Sequence, residues 1–119
     1  MVHIDVTYQG GLRCEAVHGP SGVKLITDAP VDNHGKGESF SPTDLVATAL
    51  GSCIFTIMGI VAEREQIDLV GMRITVQKEM SAEPPRRIAC LAVRIQMPAG
   101  LEAQQKAKLE RAAHTCPVH

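Results

Sequence analysis

Aromatic residues are scarce in this chain: only Tyr8, Phe40 and Phe55 occur among 119 residues, and tryptophan is absent. The core must therefore be built from aliphatic side chains, and an oligomer interface could supply burial that one small chain lacks. The net charge is −1, and no aromatic residues are interleaved with the basic ones. Because a nucleic-acid surface needs clustered basic residues, these features exclude that class of partner.

The N-terminus lacks a basic segment followed by an apolar run, so we expect no signal peptide and a cytoplasmic location. There is also no Cys-x-x-C pair, which disfavours a zinc ribbon or a thioredoxin motif. Four cysteines do occur, namely Cys14, Cys53, Cys90 and Cys116. In a reducing cytosol, such cysteines are either buried apolar residues or redox and catalytic thiols, not a disulfide framework.

The first third of the chain predicts three strands. Residues 2 to 9 alternate, with Val2, Ile4, Val6 and Tyr8 on one half-buried face. Gly10-Gly11 predicts a two-residue hairpin loop, after which Leu12, Cys14 and Ala16 face inward and Arg13 faces outward. A third strand covers 23 to 27, and the Pro- and Gly-containing stretch from 28 to 40 is expected to be a polar loop.

Ser41-Pro42-Thr43-Asp44 predicts a helix start, with Ser41 as N-cap and Pro42 in the first turn. No charged residue occurs from 45 to 62, which reaches the lower limit for a membrane span. Gly, Ser and Thr residues dilute this run and amphipathic strands flank it, so we favour a buried central helix, covered on every side, over a membrane segment.

The rest of the chain predicts a strand hairpin and a second helix. Val70, Met72, Ile74 and Val76 share one face of the first strand, and Glu83-Pro84-Pro85-Arg86 reverses the chain. The returning strand places Ala89, Leu91, Val93, Ile95 and Met97 inward, and a helix covers 101 to 113. The order β-β-β-α-β-β-α predicts a single α+β domain, residues 1 to 119, with mainly antiparallel sheets.

Two cysteines are candidates for chemistry. Cys53 lies within the buried helix beside Gly51 and Ser52, where a core role and a functional one both remain open. Cys116 follows the second helix and precedes Pro117, so nearby backbone N–H groups could favour its thiolate. Cys14 is interpreted as packing and Cys90 as an incidental surface thiol.

The other polar candidates have simpler explanations. His114, Cys116 and His119 lie close together but lack a fourth ligand nearby, so no metal and no cofactor are predicted. Glu38 and Asp44, near the start of the central helix, are most simply acids that complement the helix dipole.

Two segments together are recognisable. The run ESFSPTDLVATALGSCIFTIMGI, Glu38 to Ile60, and the C-terminal KLERAAHTCPVH resemble the OsmC/Ohr superfamily, most closely its OsmC-like branch. The resemblance covers nearly the whole chain and implies an intertwined homodimer with active sites at the interface. It implies that Cys53 is the peroxidatic cysteine and Cys116 the resolving one. The first would attack a hydroperoxide to give a sulfenic acid, and the second would convert that to a disulfide. A dithiol, lipoyl-type in the Ohr branch, would then reduce it.

The resemblance also implies an active-site arginine in the N-terminal strands, and Arg13 is the only arginine before Arg64. Such a cation would be needed, because burial alone raises a cysteine pKa. A solvated surface arginine is the alternative. Ohr proteins pair this arginine with a glutamate ten residues before the peroxidatic cysteine. Here that position is Thr43, so Glu38 or Asp44 would have to substitute. Relatives also usually continue past Cys-Pro-Val into a final strand, whereas this sequence stops at His119.

The sequence therefore leaves three candidate functions. The first is a thiol peroxidase that reduces organic hydroperoxides, and the second is a stress protein that binds a small apolar ligand at a dimer interface. The third is a redox sensor or disulfide exchanger with a protein partner. A membrane partner is not expected.

Overall fold

The computed structural model describes all 119 residues, Met1–His119. The chain forms two compact units, Met1–Leu45 and Val46–His119. The elements are β1 (Ile4–Gly10), β2 (Arg13–His18), β3 (Lys24–Asp28), a short 3₁₀ turn (Val31–Asn33), α1 (Pro42–Arg64), β4 (Arg73–Met80), β5 (Ile88–Gln96) and α2 (Ala103–Ala113). The predicted element order and the α+β class are confirmed.

The first unit is a three-stranded antiparallel sheet in the order β1-β2-β3. Its first hairpin differs from the prediction by one residue, because Gly10 pairs with Arg13 and the loop consists of Gly11 and Leu12. Both loop residues have positive φ, 62° and 63°, as a tight hairpin loop that matches the strand twist requires. A bulge between Tyr8 and Gly10 accounts for the shift.

The predicted burial of the β1 face is wrong for the single chain. Ile4, Val6 and Tyr8 are between 60% and 64% exposed, and every residue of the strand is exposed. Alternation alone does not specify what covers a face.

The second unit packs α1, the β4-β5 hairpin and α2 around one core. Its buried members are apolar side chains of the two helices and the thiol that follows α2: Leu50, Ile54, Met58, Ala62, Leu109, Ala112, Ala113 and Cys116. Partly buried side chains of the hairpin, among them Ile74, Val76, Leu91 and Val93, cover this layer from the strand side. A Cβ on Gly51 would lie 3.1 Å from Val76 Cγ2, so the glycine allows α1 to approach β4 closely.

The start of α1 agrees with the sequence prediction. The Ser41 hydroxyl accepts the Asp44 N–H at 3.1 Å, and the Asp44 carboxylate accepts the Ser41 N–H at 2.9 Å, which is a reciprocal capping box. Within the single chain, however, the helix is not covered all round, since Val46 and Ile60 are each 45% exposed. By length and composition α1 could cross a membrane, but the core helix of a soluble protein passes the same test.

Two details of the β4-β5 hairpin differ from the prediction. The strand begins at Arg73, because Val70 is 94% exposed and Gly71 turns the chain with φ 86°. Ala89 points outward instead of inward. Glu79 pairs with Cys90 and Met80 with Ile88, so Ala89 is an extra residue and Ile88 takes the inward position.

Candidate active site

Cys53 and Cys116 are brought together in the second unit. Cys53 is half-buried on α1 and packs against the core cluster that includes Cys116, which is 5% exposed. Cys116 follows α2 in a turn closed by the His119 N–H, which donates to the Cys116 carbonyl at 3.0 Å. The buried Leu109, Ala112 and Ala113 fix the end of α2 against the core and thereby place this turn.

The two thiols share a hydrogen bond, and it separates their pKa values. The bond to Cys116 raises the pKa of Cys53; the Val118 N–H opposes this rise, while burial adds to it. Burial raises the pKa of Cys116, but the hydrogen bonds from the Cys53 thiol and from the His119 and Val118 N–H groups outweigh it, so its pKa is lowered. The interaction between the two thiols thus moves their pKa values in opposite directions.

Because Cys53 packs against the cluster that contains Cys116 and the two thiols interact, their sulfur atoms are candidates for an intrachain disulfide. All four cysteines are free thiols in the structure. Cys14 is half-buried on β2 opposite Thr27, and Cys90 is exposed on β5. Neither of them belongs to the core cluster that holds Cys53 and Cys116.

Arg13 lies in the first unit within a cluster of acids. Its Nη2 donates to Asp28 Oδ2 at 3.1 Å and to Glu38 Oε2 at 3.2 Å. Asp28 is 1% exposed, whereas the Glu38 side chain is 60% exposed. The hydrogen bonds to Asp28 and then Glu38 are the main causes that raise the pKa of Arg13 further above its usual value.

Asp44 and Thr43 lie at the start of α1. Asp44 accepts the Ser41 N–H, as the capping box requires, and the Thr43 hydroxyl lies 3.2 Å from the Ser41 hydroxyl. Of the two acids that the sequence offered as partners for Arg13, Glu38 makes that contact and Asp44 serves as a cap.

Two contributors were missed at the level of sequence. The sequence pattern predicts that Asp28 lies in the polar loop, yet it ends β3 directly opposite Arg13. A strand predicted over 23 to 27 could be extended by one residue, but its register with β2 has no local signal. The N–H groups of Val118 and His119 are invisible to side-chain patterns. No group of three or more His, Cys, Asp or Glu side chains is placed to hold a metal.

Comparison with known proteins gives consistent matches. Residues 35–119 match the family model described as OsmC-like protein. A solved Psychrobacter arcticus 273-4 protein, provisionally described as an osmotic stress induced and detoxification response protein, is 47% identical with TM-score 0.92; the match covers 99% of this chain and 85% of that one.

Two further structures share the fold at lower identity. The organic hydroperoxide resistance protein OsmC of Legionella pneumophila is 20% identical with TM-score 0.70, over 99% of this chain and 85% of that one. The organic hydroperoxide resistance protein OhrB of Bacillus subtilis is 19% identical with TM-score 0.63, over 98% and 86%. No curated protein matches the chain. The family model covers more than half of the chain and the Psychrobacter protein nearly all of it, so the chain belongs to the OsmC-like protein family.

Proposed function

We propose that this protein is a thiol peroxidase that reduces organic hydroperoxides, with Cys53 as the peroxidatic cysteine and Cys116 as the resolving cysteine. The observation that carries the proposal is that Cys53 packs against the core cluster that contains Cys116, where the two thiols interact. The substrate class is supported by the names of the Legionella and Bacillus proteins that share the fold.

In the first step, the Cys53 sulfur attacks the hydroperoxide O–O bond. Cys53 reacts as the thiolate after its thiol has released its proton. Cys53 becomes a sulfenic acid, and the leaving alkoxide takes up that proton to become the alcohol. The peroxide is reduced by two electrons, and the Cys53 sulfur is oxidised by the same two.

In the second step, the Cys116 sulfur attacks the sulfenic acid. A disulfide forms, and the hydroxyl leaves as water after it takes the Cys116 proton. An external dithiol then restores both thiols by exchange and leaves as its own disulfide. A lipoyl-type dithiol is the proposed reductant.

Arg13 is the proposed activating cation for Cys53, because a nearby positive charge favours the thiolate. Glu38 and Asp44 complete the proposed set, the first as a partner of Arg13 and the second as the cap of the helix that carries Cys53.

We further propose that the protein works as a cytoplasmic homodimer. Support comes from apolar side chains that a single chain leaves exposed, namely Ile4, Val6 and Tyr8 on β1 and Val46 and Ile60 on α1. Exposed apolar patches of this kind mark interaction surfaces. Light scattering should give a twofold mass that persists on dilution, and a stable monomer would contradict the dimer without touching the chemistry.

Steady-state turnover of cumene hydroperoxide with dihydrolipoamide tests the proposed activity. Wild type and Cys90→Ser should turn over equally, because Cys90 is exposed on β5 and lies outside the thiol pair. Cys53→Ser should lose turnover, and Cys116→Ser should stop after oxidation of Cys53. Equal rates in wild type and Cys53→Ser, or no turnover in wild type with any dithiol, would contradict the proposal.

A further inference from the structure

Asp28 is a buried carboxylate whose backbone is fixed on both sides. It ends β3 opposite Arg13 in the β2-β3 register. Its own N–H donates to the Phe40 carbonyl at 3.0 Å, and the next N–H, of Ala29, donates to the Leu12 carbonyl at 3.2 Å. The backbone that carries the carboxylate is therefore held both by the β1-β2 loop and by the segment that leads into α1.

The Asp28 side chain accepts two donors on one oxygen. Oδ2 receives Arg13 Nη2 at 3.1 Å and the Glu38 N–H at 3.1 Å, while Oδ1 is buried and has no hydrogen-bond partner. The Glu38 N–H is the largest cause that lowers the pKa of Asp28; burial opposes it, and Arg13 adds to the lowering. Asp28 is thus ionised at neutral pH, and a buried charge of this kind must keep its partner.

Glu38 contacts the same Arg13 nitrogen but is held far less firmly. Its side chain is 60% exposed, whereas that of Asp28 is fully covered. An exposed ion pair contributes little, because water screens it and both side chains lose rotational freedom. Asp28 is therefore the carboxylate that sets the orientation of the guanidinium.

Only Nη2 of Arg13 is engaged in these contacts, and the Arg13 side chain is 34% exposed. Nε and Nη1 keep three N–H donors for another group. Because the guanidinium is planar, holding it at one nitrogen also sets the direction of its remaining donors. The flexible ammonium group of a lysine would not be oriented in this way.

We propose that Asp28 is the positioning residue for Arg13, because it is the buried carboxylate that holds the guanidinium. Asp28 acts through Arg13 and does not touch the reacting atoms. The orientation of Arg13 is inferred from contacts within the first unit alone. The effect of that orientation on Cys53 rests on the proposed function.

The orientation is tested directly by NMR of the arginine guanidinium groups. Arg13 should give resolved, slowly exchanging Nη signals in wild type, identified by their loss in Arg13→Ala. In Asp28→Asn the guanidinium should rotate freely and the Nη signals of Arg13 should merge. Asp5→Asn is the control: it removes the same charge from an exposed site on β1 and should leave the signals resolved. Resolved Arg13 signals in Asp28→Asn would overturn the proposal, whatever the protein's activity.

The consequence for Cys53 is tested by the pH profile of its alkylation. The background protein carries Cys14→Ser, Cys90→Ser and Cys116→Ser, so that Cys53 is its only thiol. Arg13→Ala and Asp28→Asn should both move the midpoint to higher pH. The double variant should move it no further than Arg13→Ala alone, because Asp28 acts only through Arg13. Additive shifts, or a wild-type midpoint in Asp28→Asn beside a shifted one in Arg13→Ala, would overturn the inference and leave the peroxidase proposal standing.

Arg13→Lys covers the case in which Asp28→Asn fails to fold. It keeps the charge but lacks the planar guanidinium, so its alkylation midpoint should lie above that of wild type. Its kcat/KM for hydroperoxide should fall roughly ten- to a hundredfold, as misplacement of a positioning group does. A wild-type midpoint in Arg13→Lys would show that charge suffices and that positioning by Asp28 is irrelevant.

Discussion

Leu109 links the stability of the second unit to its thiol chemistry. It is fully buried on α2, within the core cluster, and it lies seven residues before Cys116. Leu109→Ala removes three carbon atoms from a site with no solvent access, and such changes cost about 2–5 kcal/mol. We expect about 3 kcal/mol here, because Ala112 and Ala113 beside it are too small to fill the space.

For a chain of this length that cost corresponds to a fall in Tm of roughly 12 °C, from an unfolding entropy of about 2 cal/mol/K per residue. Thermal denaturation followed by circular dichroism, at one fixed protein concentration, measures it. Leu109→Met conserves volume and should cost less than about 1.5 kcal/mol. Glu110→Ala changes the next, exposed residue of the same helix and should leave Tm within about 2 °C.

The same substitution should slow formation of the Cys53–Cys116 disulfide. A loosened end of α2 spends less time with Cys116 against Cys53, so stopped-flow oxidation under native conditions should be slower than in Leu109→Met. A Tm for Leu109→Ala close to wild type would refute the assignment of Leu109 to the core. An unchanged oxidation rate beside a lowered Tm would refute the argument that α2 packing places Cys116.

Three further predictions concern stability measured by urea denaturation. Ser41→Ala should cost about 1 kcal/mol because it removes the acceptor for the Asp44 N–H, whereas Ser52→Ala, on the exposed side of α1, should cost little. Gly51→Ala should be nearly neutral, since a helix gain of about 1 kcal/mol offsets the tight contact with Val76, but Gly51→Val should cost about 1–3 kcal/mol. Asp28 has a pKa below its ordinary value of 3.8, so its stabilisation is complete above that pH and is lost as the pH falls below it. In Asp28→Asn the free energy of unfolding should therefore fall less as the pH is lowered. An unchanged pH dependence in that variant would contradict the ionised pair of Asp28 and Arg13.

Local sequence patterns, such as strand alternation and helix caps, predicted most of the fold. The alternation of Ile74 and Val76 with Arg73 and Thr75 gave the correct faces of β4, and Ser41 with Asp44 gave the correct start of α1. The errors lie where geometry depends on pairing with another strand. The bulge before Gly10 moved the hairpin loop by one residue, and the extra residue Ala89 exchanged faces with Ile88.

The candidate site was less accessible to sequence reasoning. Nothing local joins Cys53 to Cys116 across 62 intervening residues, and their pairing came from the resemblance to relatives. Asp28 has the composition of a loop residue, and only the β2-β3 register, set by long-range packing, places it opposite Arg13. The pKa difference between the thiols arises first from their mutual interaction, which is a long-range contact, and the His119 and Val118 N–H groups add to the lowering at Cys116.

The central claim is that Cys53 and Cys116 form one redox unit, and peptide mapping by mass spectrometry tests it most directly. The reduced protein would be treated with one equivalent of cumene hydroperoxide, quenched with an alkylating agent and digested without reductant. We expect a single cross-linked species that joins the Cys53 and Cys116 peptides, with Cys14 and Cys90 alkylated as thiols. Oxidation that falls on Cys90 or Cys14, or a Cys53 sulfinic acid with Cys116 still alkylated, would contradict it.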